Sequence, residues 1–336
     1  MIAGCGSQGR RWLETLAGLD AEVVGLVDPD LGAAARARAD FGLDGAAVGD
    51  DLAAMLARTG AEAVFDVATP GARAAVVRTG LAAGAHVLSE KPMATSLREA
   101  REIVDAAATA GRLHAVAQNR RYVPGVRRMR AFLASGAIGE PTGLHADFFL
   151  GPHFGGFREA MDHPLLLDMA IHTFDAARYV MGRAPVAVTA VETNPPGSWY
   201  AGGGSATAVF EFDDGASFTY RGSWCAEGLP TSWESAWRAI GTRGTMTWDG
   251  HEGFAAEAVT GEAGFFRPVA PVAVPTLEVT AKAEGLKSVI AEFLDAVAGG
   301  PEPETVGRDN ILSLAMTLGA IESARTGRRV TLEAAA

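Results

Sequence analysis

The segment Gly4-Cys5-Gly6-Ser7-Gln8-Gly9 constrains this chain more than any other, because it follows a short apolar run and opens a stretch with apolar residues at helical spacing. A strand, a glycine turn and a helix in that order form the first turn of a dinucleotide-binding βαβ unit. Gly4 permits the tight turn and Gly6 lets backbone approach a pyrophosphate. Gly9 allows close packing of helix on strand, while Ser7 and Gln8 begin a helix whose N-terminus faces the anion. Glycine occupies 41 of 336 positions, so the pattern alone is weak and its surroundings must carry it. Asp28 ends the next β-rich run 19 residues after Gly9, where a carboxylate accepts hydrogen bonds from the adenosine ribose hydroxyls. The competing reading of Asp28 is a helix cap before Pro29.

Up to residue 118, β-rich runs at 2–3, 22–28, 46–48, 63–68, 85–89 and 114–117 alternate with helical stretches at 8–18, 29–41, 50–59, 71–83 and 96–111. That alternation predicts a doubly wound parallel sheet of the Rossmann type, a domain over 1–118. The first strand has only three residues before its turn, against about five in a typical strand, so the native start is expected upstream. From 119 the rhythm changes. Helices are expected at 122–135 and 165–181, then strands at 142–150, 186–192, 206–212, 216–223, 233–241 and 245–248, and late helices at 283–298 and 308–326. This predicts a second α/β domain over 119–336 with an open, largely antiparallel sheet, helices on one face and a second subunit over the other. The strands at 206–212 and 216–223 are read as too apolar to leave both faces in water.

The charge balance of -11 disfavours nucleic acid and anionic lipid and favours a small-molecule partner. Cys5 and Cys225, isolated from each other, fit a reducing cytoplasm and no thiolate metal site. No run of 18 uncharged apolar residues is present, so no membrane span is expected. Lys91, Lys282 and Lys287 are the only lysines among 29 cationic side chains, which singles out Lys91 in Ser89-Glu90-Lys91-Pro92, at the carboxyl edge of the fifth strand where ligands of open α/β sheets bind. A second cluster, Asp168, His172 and Asp175 at i, i+4 and i+7, is expected on one helix face.

Through these and further motifs the sequence resembles the Gfo/Idh/MocA family of oxidoreductases. The resemblance runs through the glycine turn, Ala68-Thr69-Pro70, Glu90-Lys91-Pro92, Asn119-Arg120-Arg121-Tyr122, Ser135-Gly136-Ala137-Ile138-Gly139, the Asp168/His172 helix and the ending 323–330. It implies that Lys91, Asp168 and His172 surround a substrate carbinol, and that a cis peptide bond precedes Pro92. It also implies a cofactor site of Gly4, Gly6, Ser7, Gln8, Gly9, Asp28, Thr69, Pro70, Glu90, Lys91 and Asn119. The sequence departs at Ala74, where many members carry a histidine.

Residue chemistry agrees with those roles. Oxidising a secondary alcohol needs a base for the hydroxyl proton, a role suited to His172, and a cation for the developing alkoxide, a role suited to Lys91. Asp168 orients His172 or keeps Lys91 charged. Read singly, Lys91 is a solvated loop lysine, Asp168 a helix cap and His172 a satisfied buried histidine; their combination behind the glycine turn favours catalysis. A metal held by His163, Asp168 and His172 is disfavoured for want of ligand spacing. Asp175 either meets substrate or pairs with Arg178, and Trp199, Trp224 and Trp233 either stack on a sugar or pack in the core. Tyr122, His153 and Arg158 are the further substrate-site candidates, Arg158 being suited to a carboxylate.

The expected cofactor is NAD rather than NADP, since Asp28 repels a 2′-phosphate and Pro29 and Asp30 supply no arginine. The expected activity is hydride transfer between nicotinamide and a secondary alcohol of a sugar, cyclic polyol or derivative, in a cytoplasmic homodimer or homotetramer. The competing functions are a non-catalytic NAD or sugar sensor, and an enzyme that recycles tightly bound NAD during glycoside cleavage or epimerisation.

Overall fold

A computed structural model describes residues 1–277 and 282–332. The chain separates into two compact units, Met1–Asn119 with Glu284–Leu314, and Arg120–Ala283 with Ala315–Ala336. The segment Glu284–Leu314, expected in the second domain, thus packs with the first. Its physical tie is apolar: Phe293 is fully buried, edge-on to Phe65 at 5.7 Å.

In the first unit the strands are β1 (Ile2–Ala3), β2 (Gly25–Val27), β3 (Ala47–Gly49), β4 (Ala63–Asp66), β5 (His86–Ser89) and β6 (His114–Val116). Between them run α1 (Ser7–Leu16), α2 (Leu31–Asp40), α3 (Leu52–Thr59), α4 (Pro70–Ala82) and α5 (Leu97–Ala110). The sheet is parallel throughout in the order β3-β2-β1-β4-β5-β6, so β1 and β4 are neighbours and their βα turns flank the switch point of the sheet. Continuous burial of Ile2, Val64, Phe65, Val87 and Leu88 fits strands covered on both faces by helices. Helix starts are fixed by side chains: Asp30, Asp51 and Ser96 accept backbone amides at the starts of α2, α3 and α5. The second strand is shorter than expected, because 22–24 lie outside the ladder.

The second unit holds α6 (Pro124–Ala134), β7 (Pro141–Phe149), α7 (Ile171–Met181), β8 (Ala187–Thr193), β9 (Ser205–Glu211), β10 (Ser217–Ser223), β11 (Ala236–Gly241) and β12 (Gly244–Trp248). It also holds β13 (Phe254–Val259), β14 (Val269–Pro271) and the closing strand β15 (Val330–Thr331), none of them expected from sequence. The helix α8 (Leu286–Val297) belongs to the first unit, and α9 (Gly307–Thr326) begins there. The strand order is β14-β13-β12-β11-β7-β10-β9-β8-β15, antiparallel except for β7 against β10. The sheet is therefore mixed, with β7 inserted between the two meanders.

One face carries the core. Phe174 of α7 lies edge-on to Phe210 at 4.8 Å and to Tyr220 at 5.2 Å, and Phe210 stacks on Phe218 at 5.6 Å. Ala206, Ala208 and Phe210 of β9 and Phe218 and Tyr220 of β10 turn to this side, while Thr207, Val209, Thr219 and Arg221 alternate to the other. Period-two alternation sorts these two strands into a buried and a mixed face, so one face of each is taken out of water by the core. That second face keeps β-branched residues in water, with Val191 61% exposed and Ile240 37%. No helix among the described residues is long and apolar enough to cross a membrane.

Candidate active site

At the start of α1 the backbone shapes the turn. Gly4 has φ +103°, and a Cβ there would lie 2.6 Å from the Val67 carbonyl oxygen. At Gly9 a Cβ would stand 2.0 Å from the Gly4 oxygen, so the first turn of α1 lies on the glycine turn with no room for a side chain. A Cβ at Gly6 would meet nothing within 4 Å, and Gly6, Ser7 and Gln8 are exposed, which leaves the amide-bearing helix start open to an anion. Asp28 follows β2. Its Oδ2 accepts the Cys5 amide at 2.8 Å and its Oδ1 the Asp30 amide at 2.9 Å. The cap of α2 is Asp30, which accepts the Gly32 amide, so Asp28 ties the glycine turn to the second strand and is not the helix cap. Burial and Asp28 push the Cys5 thiol up to about 12, leaving it an inert packing group.

Thr69 and Pro70 lie exposed at the start of α4, and Asn119 is half-buried after β6. Glu90 is held from three directions: Oε1 accepts from Trp12 Nε1 at 3.0 Å and Gln8 Nε2 at 3.2 Å, and Oε2 from the Lys91 amide at 3.1 Å. Lys91 is half-buried, and the bond from it to Pro92 is cis, as the resemblance implies. The described residues of this edge fit a dinucleotide: an uncapped helix start, no side chain at Gly6, and a carboxylate at the end of β2.

Sequence reasoning missed the polar cluster beneath these loops. Arg73 is 2% exposed and pairs with Asp66 at 3.2 Å. Ser89 Oγ lies 3.1 Å from His114 Nε2. Burial raises the Asp66 carboxyl to about 6 against the pull of Arg73, and burial with Arg73 lowers His114 to about 4. The signal in the sequence was an arginine within an apolar helix, which alone reads as surface.

In the second unit the expected helix 165–181 opens as a wide π-type turn, Leu165–Ala170, which continues into α7. Asp168 and His172 are half-buried, one on each side of that change. Arg158 Nε donates to Asp168 Oδ2 at 2.6 Å, and its guanidinium lies 5.1 Å from the Phe154 ring and 4.8 Å from the Phe157 ring. Asp175, proposed as a third member of the face, is fully buried and accepts two hydrogen bonds from Arg121 at 2.8 and 2.7 Å, with Arg178 at 3.6 Å. Tyr122 is fully buried beneath the Arg127 guanidinium, 4.7 Å from its ring. His153 is exposed and stacks on Trp199 at 3.7 Å, its Nε2 3.3 Å from Glu227. His163 Nδ1 lies 2.6 Å from Glu192, whose carboxyl burial raises. Trp224 packs in the core, Trp199 donates to the Pro152 carbonyl, and Trp233 stays 44% exposed.

A six-stranded doubly wound sheet with this glycine turn and terminal aspartate defines a dinucleotide-binding protein of the oxidoreductase class. Residues 1–118 match the model of the oxidoreductase family with an NAD-binding Rossmann fold, and residues 126–247 match the GFO/IDH/MocA C-terminal domain. Together they span well over half of the sequence, and the chain belongs to the Gfo/Idh/MocA family of NAD-binding oxidoreductases. The chain is 27% identical over 343 residues to the D-apiose dehydrogenase of Paraburkholderia graminis, covering 99% of this chain and 89% of that one. It is 35% identical over 198 residues to the inositol 2-dehydrogenase of Streptomyces avermitilis, 58% of this chain and 56% of the relative. Among solved structures, an oxidoreductase of Agrobacterium radiobacter in complex with NAD+, L-tartaric acid and magnesium shares the fold with a TM-score of 0.85 at 23% identity, covering 98% of this chain and 97% of the other.

Proposed function

We propose that the protein is an NAD-dependent dehydrogenase in which bound NAD supplies the acceptor for the hydride of a secondary alcohol on a sugar, cyclic polyol or sugar acid. The observation that carries the reading is the Arg158–Asp168 pair at 2.6 Å beside His172 in a chain of this NAD-binding family. Gly6, Ser7 and Gln8 offer the open start of α1 to the pyrophosphate, Gly4 and Gly9 shape the turn beneath it, and Asp28 takes the ribose hydroxyls. Thr69, Pro70, Glu90 and Asn119 line the same edge of the sheet. Lys91 donates to the carbinol oxygen and steadies negative charge as the hydroxyl proton leaves to His172. Asp168 is fixed by Arg158 and in turn orients His172.

Arg158 keeps donors besides the one on Asp168, so it binds a hydroxyl or carboxylate of the substrate. The exposure of His153, Phe154 and Phe157 supports a substrate-reading role for their loop, whereas the burial of Tyr122 favours a packing role for it. The names of the relatives favour sugars and polyols as the substrate class. Val191 and Ile240 on the open sheet face support assembly into a homodimer or homotetramer through that face. Two free cysteines support a cytoplasmic setting.

The test is a panel of inositols, aldoses and sugar acids with NAD and with NADP, followed at the nicotinamide absorbance. Turnover with NAD and weaker binding of NADP are expected. Absence of NAD reduction across the panel, with substrate still consumed and cofactor retained, would replace this reading with NAD recycling, and tighter binding of NADP would overturn the role of Asp28.

A further inference from the structure

Arg73 reaches three partners with one side chain, all within the first unit. Its Nε donates to Asp66 Oδ2 at 3.2 Å, its Nη2 to the Ala68 carbonyl at 2.6 Å and its Nη1 to the Pro92 carbonyl at 2.8 Å. Asp66 is the last residue of β4, Ala68 is the second residue of the loop after it, and Pro92 follows Lys91 in the loop after β5. A planar guanidinium with donors in fixed directions can span such a set, whereas an ammonium cannot. Burial makes the arrangement stiff, since every donor that loses its carbonyl would stay unsatisfied out of water.

Asp66 is itself anchored, accepting the Ala68 amide at 3.0 Å. The loop carrying Thr69 and the loop carrying Lys91 are therefore clamped to one buried ion pair. Glu90, on the N-terminal side of Lys91, is fastened to Trp12 and Gln8. Lys91 is thus bracketed by a residue fixed on its N-terminal side and by a carbonyl fixed on its C-terminal side.

We propose that Arg73 is a positioning residue for Lys91, holding the Glu90-Lys91-Pro92 loop in place through the Pro92 carbonyl. The inference rests on the proposed role of Lys91 only for its effect on turnover, and its geometric part can be read without substrate. The chain has three lysines, so trace acetylation with acetic anhydride followed by peptide mass analysis gives the labelling rate of Lys91 against Lys287 in the same molecule. Two variants are compared with wild type. Arg73→Lys keeps a cation for Asp66 but cannot bridge both carbonyls. The double variant Asp66→Asn with Arg73→Met removes both buried charges together, which guards against loss of fold from an orphaned carboxylate.

In both, with folding verified by circular dichroism, the ratio of Lys91 to Lys287 labelling is expected to rise at least about threefold as the loop opens locally. Turnover should fall about tenfold with a smaller change in NAD affinity, as misplacement of one catalytic group implies. An unchanged labelling ratio in the folded variants overturns the inference. Lys91→Met is the separate control: if it keeps full turnover, the assigned role of Lys91 fails, while the labelling ratio still decides whether Arg73 holds the loop.

Discussion

At the carboxyl edge of the first unit's sheet, the groups assigned to the cofactor are set by backbone and by buried bonds: Gly9 lies against Gly4, Glu90 hangs from Trp12, and Arg73 clamps two loops. In the second unit, the groups assigned to the substrate are set by side chains near water. Arg158 is one-third exposed, its aromatic neighbour Phe157 is 65% exposed, and His153 rests on Trp199. The difference teaches which part of the site tolerates change. A pyrophosphate and ribose are the same in every dinucleotide, so their cradle can be built into packed backbone. Recognition of a variable substrate is better carried by exposed loops, where replacing one side chain does not disturb a core.

The comparison breaks first if the chemistry lies elsewhere. Lys91→Met and His172→Ala are each expected to lower kcat by about a hundredfold or more with NAD affinity nearly unchanged, read by steady-state rates and fluorescence titration. Near-normal turnover in both would refute the site assignment.

The stiffness of the first unit can be tested through its buried titrations. His114 resists protonation until about pH 4, whereas in the unfolded chain it titrates near 6.5, so acidification across that window removes stability. Asp66 takes its proton near 6 in the fold and near 3.8 unfolded, so acidification from 6 to 3.8 adds stability. Between pH 6 and 4 the two oppose each other. Replacing His114 by Gln removes one arm and should tilt the stability profile by about 3 kcal/mol in favour of acid, measured by urea unfolding. A profile parallel to wild type would show that His114 is not held neutral.

Gly9→Ala and Gly6→Ala separate a fold requirement from a ligand requirement. The first forces α1 off the turn and should cost about 1–3 kcal/mol of stability. The second should leave stability within about 0.5 kcal/mol while weakening NAD binding. Equal melting temperatures for the two variants would contradict the close approach at Gly9.

Arg158→Ala is expected to have the smallest effect, raising KM for the preferred substrate about tenfold and lowering kcat by less than that as Asp168 loses this bond, with NAD affinity unchanged. A change confined to NAD binding would assign the loop to the wrong partner.

Much of this was legible in the chain. The glycine turn, Asp28 and the alternation up to residue 118 are local: φ requirements, strand-helix periods and the spacing of a βαβ unit are written in neighbouring residues. That Asp28 is not the cap of α2 could be decided only once Asp30 was seen to accept the Gly32 amide. The face expected for Asp168, His172 and Asp175 assumed a uniform 3.6-residue period, and a π-type turn with a buried arginine pair placed Asp175 inside the protein.

What the sequence by itself determined is the parallel sheet, the dinucleotide turn and the residue types able to move a proton. The tertiary structure alone decided that Glu284–Leu314 returns to the first unit, that β7 runs parallel to β10, and that Arg73 and Arg158 find their partners. The physical reason is range. Turn geometry and periodicity act within one element and leave a mark on adjacent residues, whereas the partner of a buried charge is chosen by which surfaces meet when the chain excludes water. Burial then makes that choice binding, because an arginine without its carboxylate or carbonyl would be stranded in a medium that cannot solvate it.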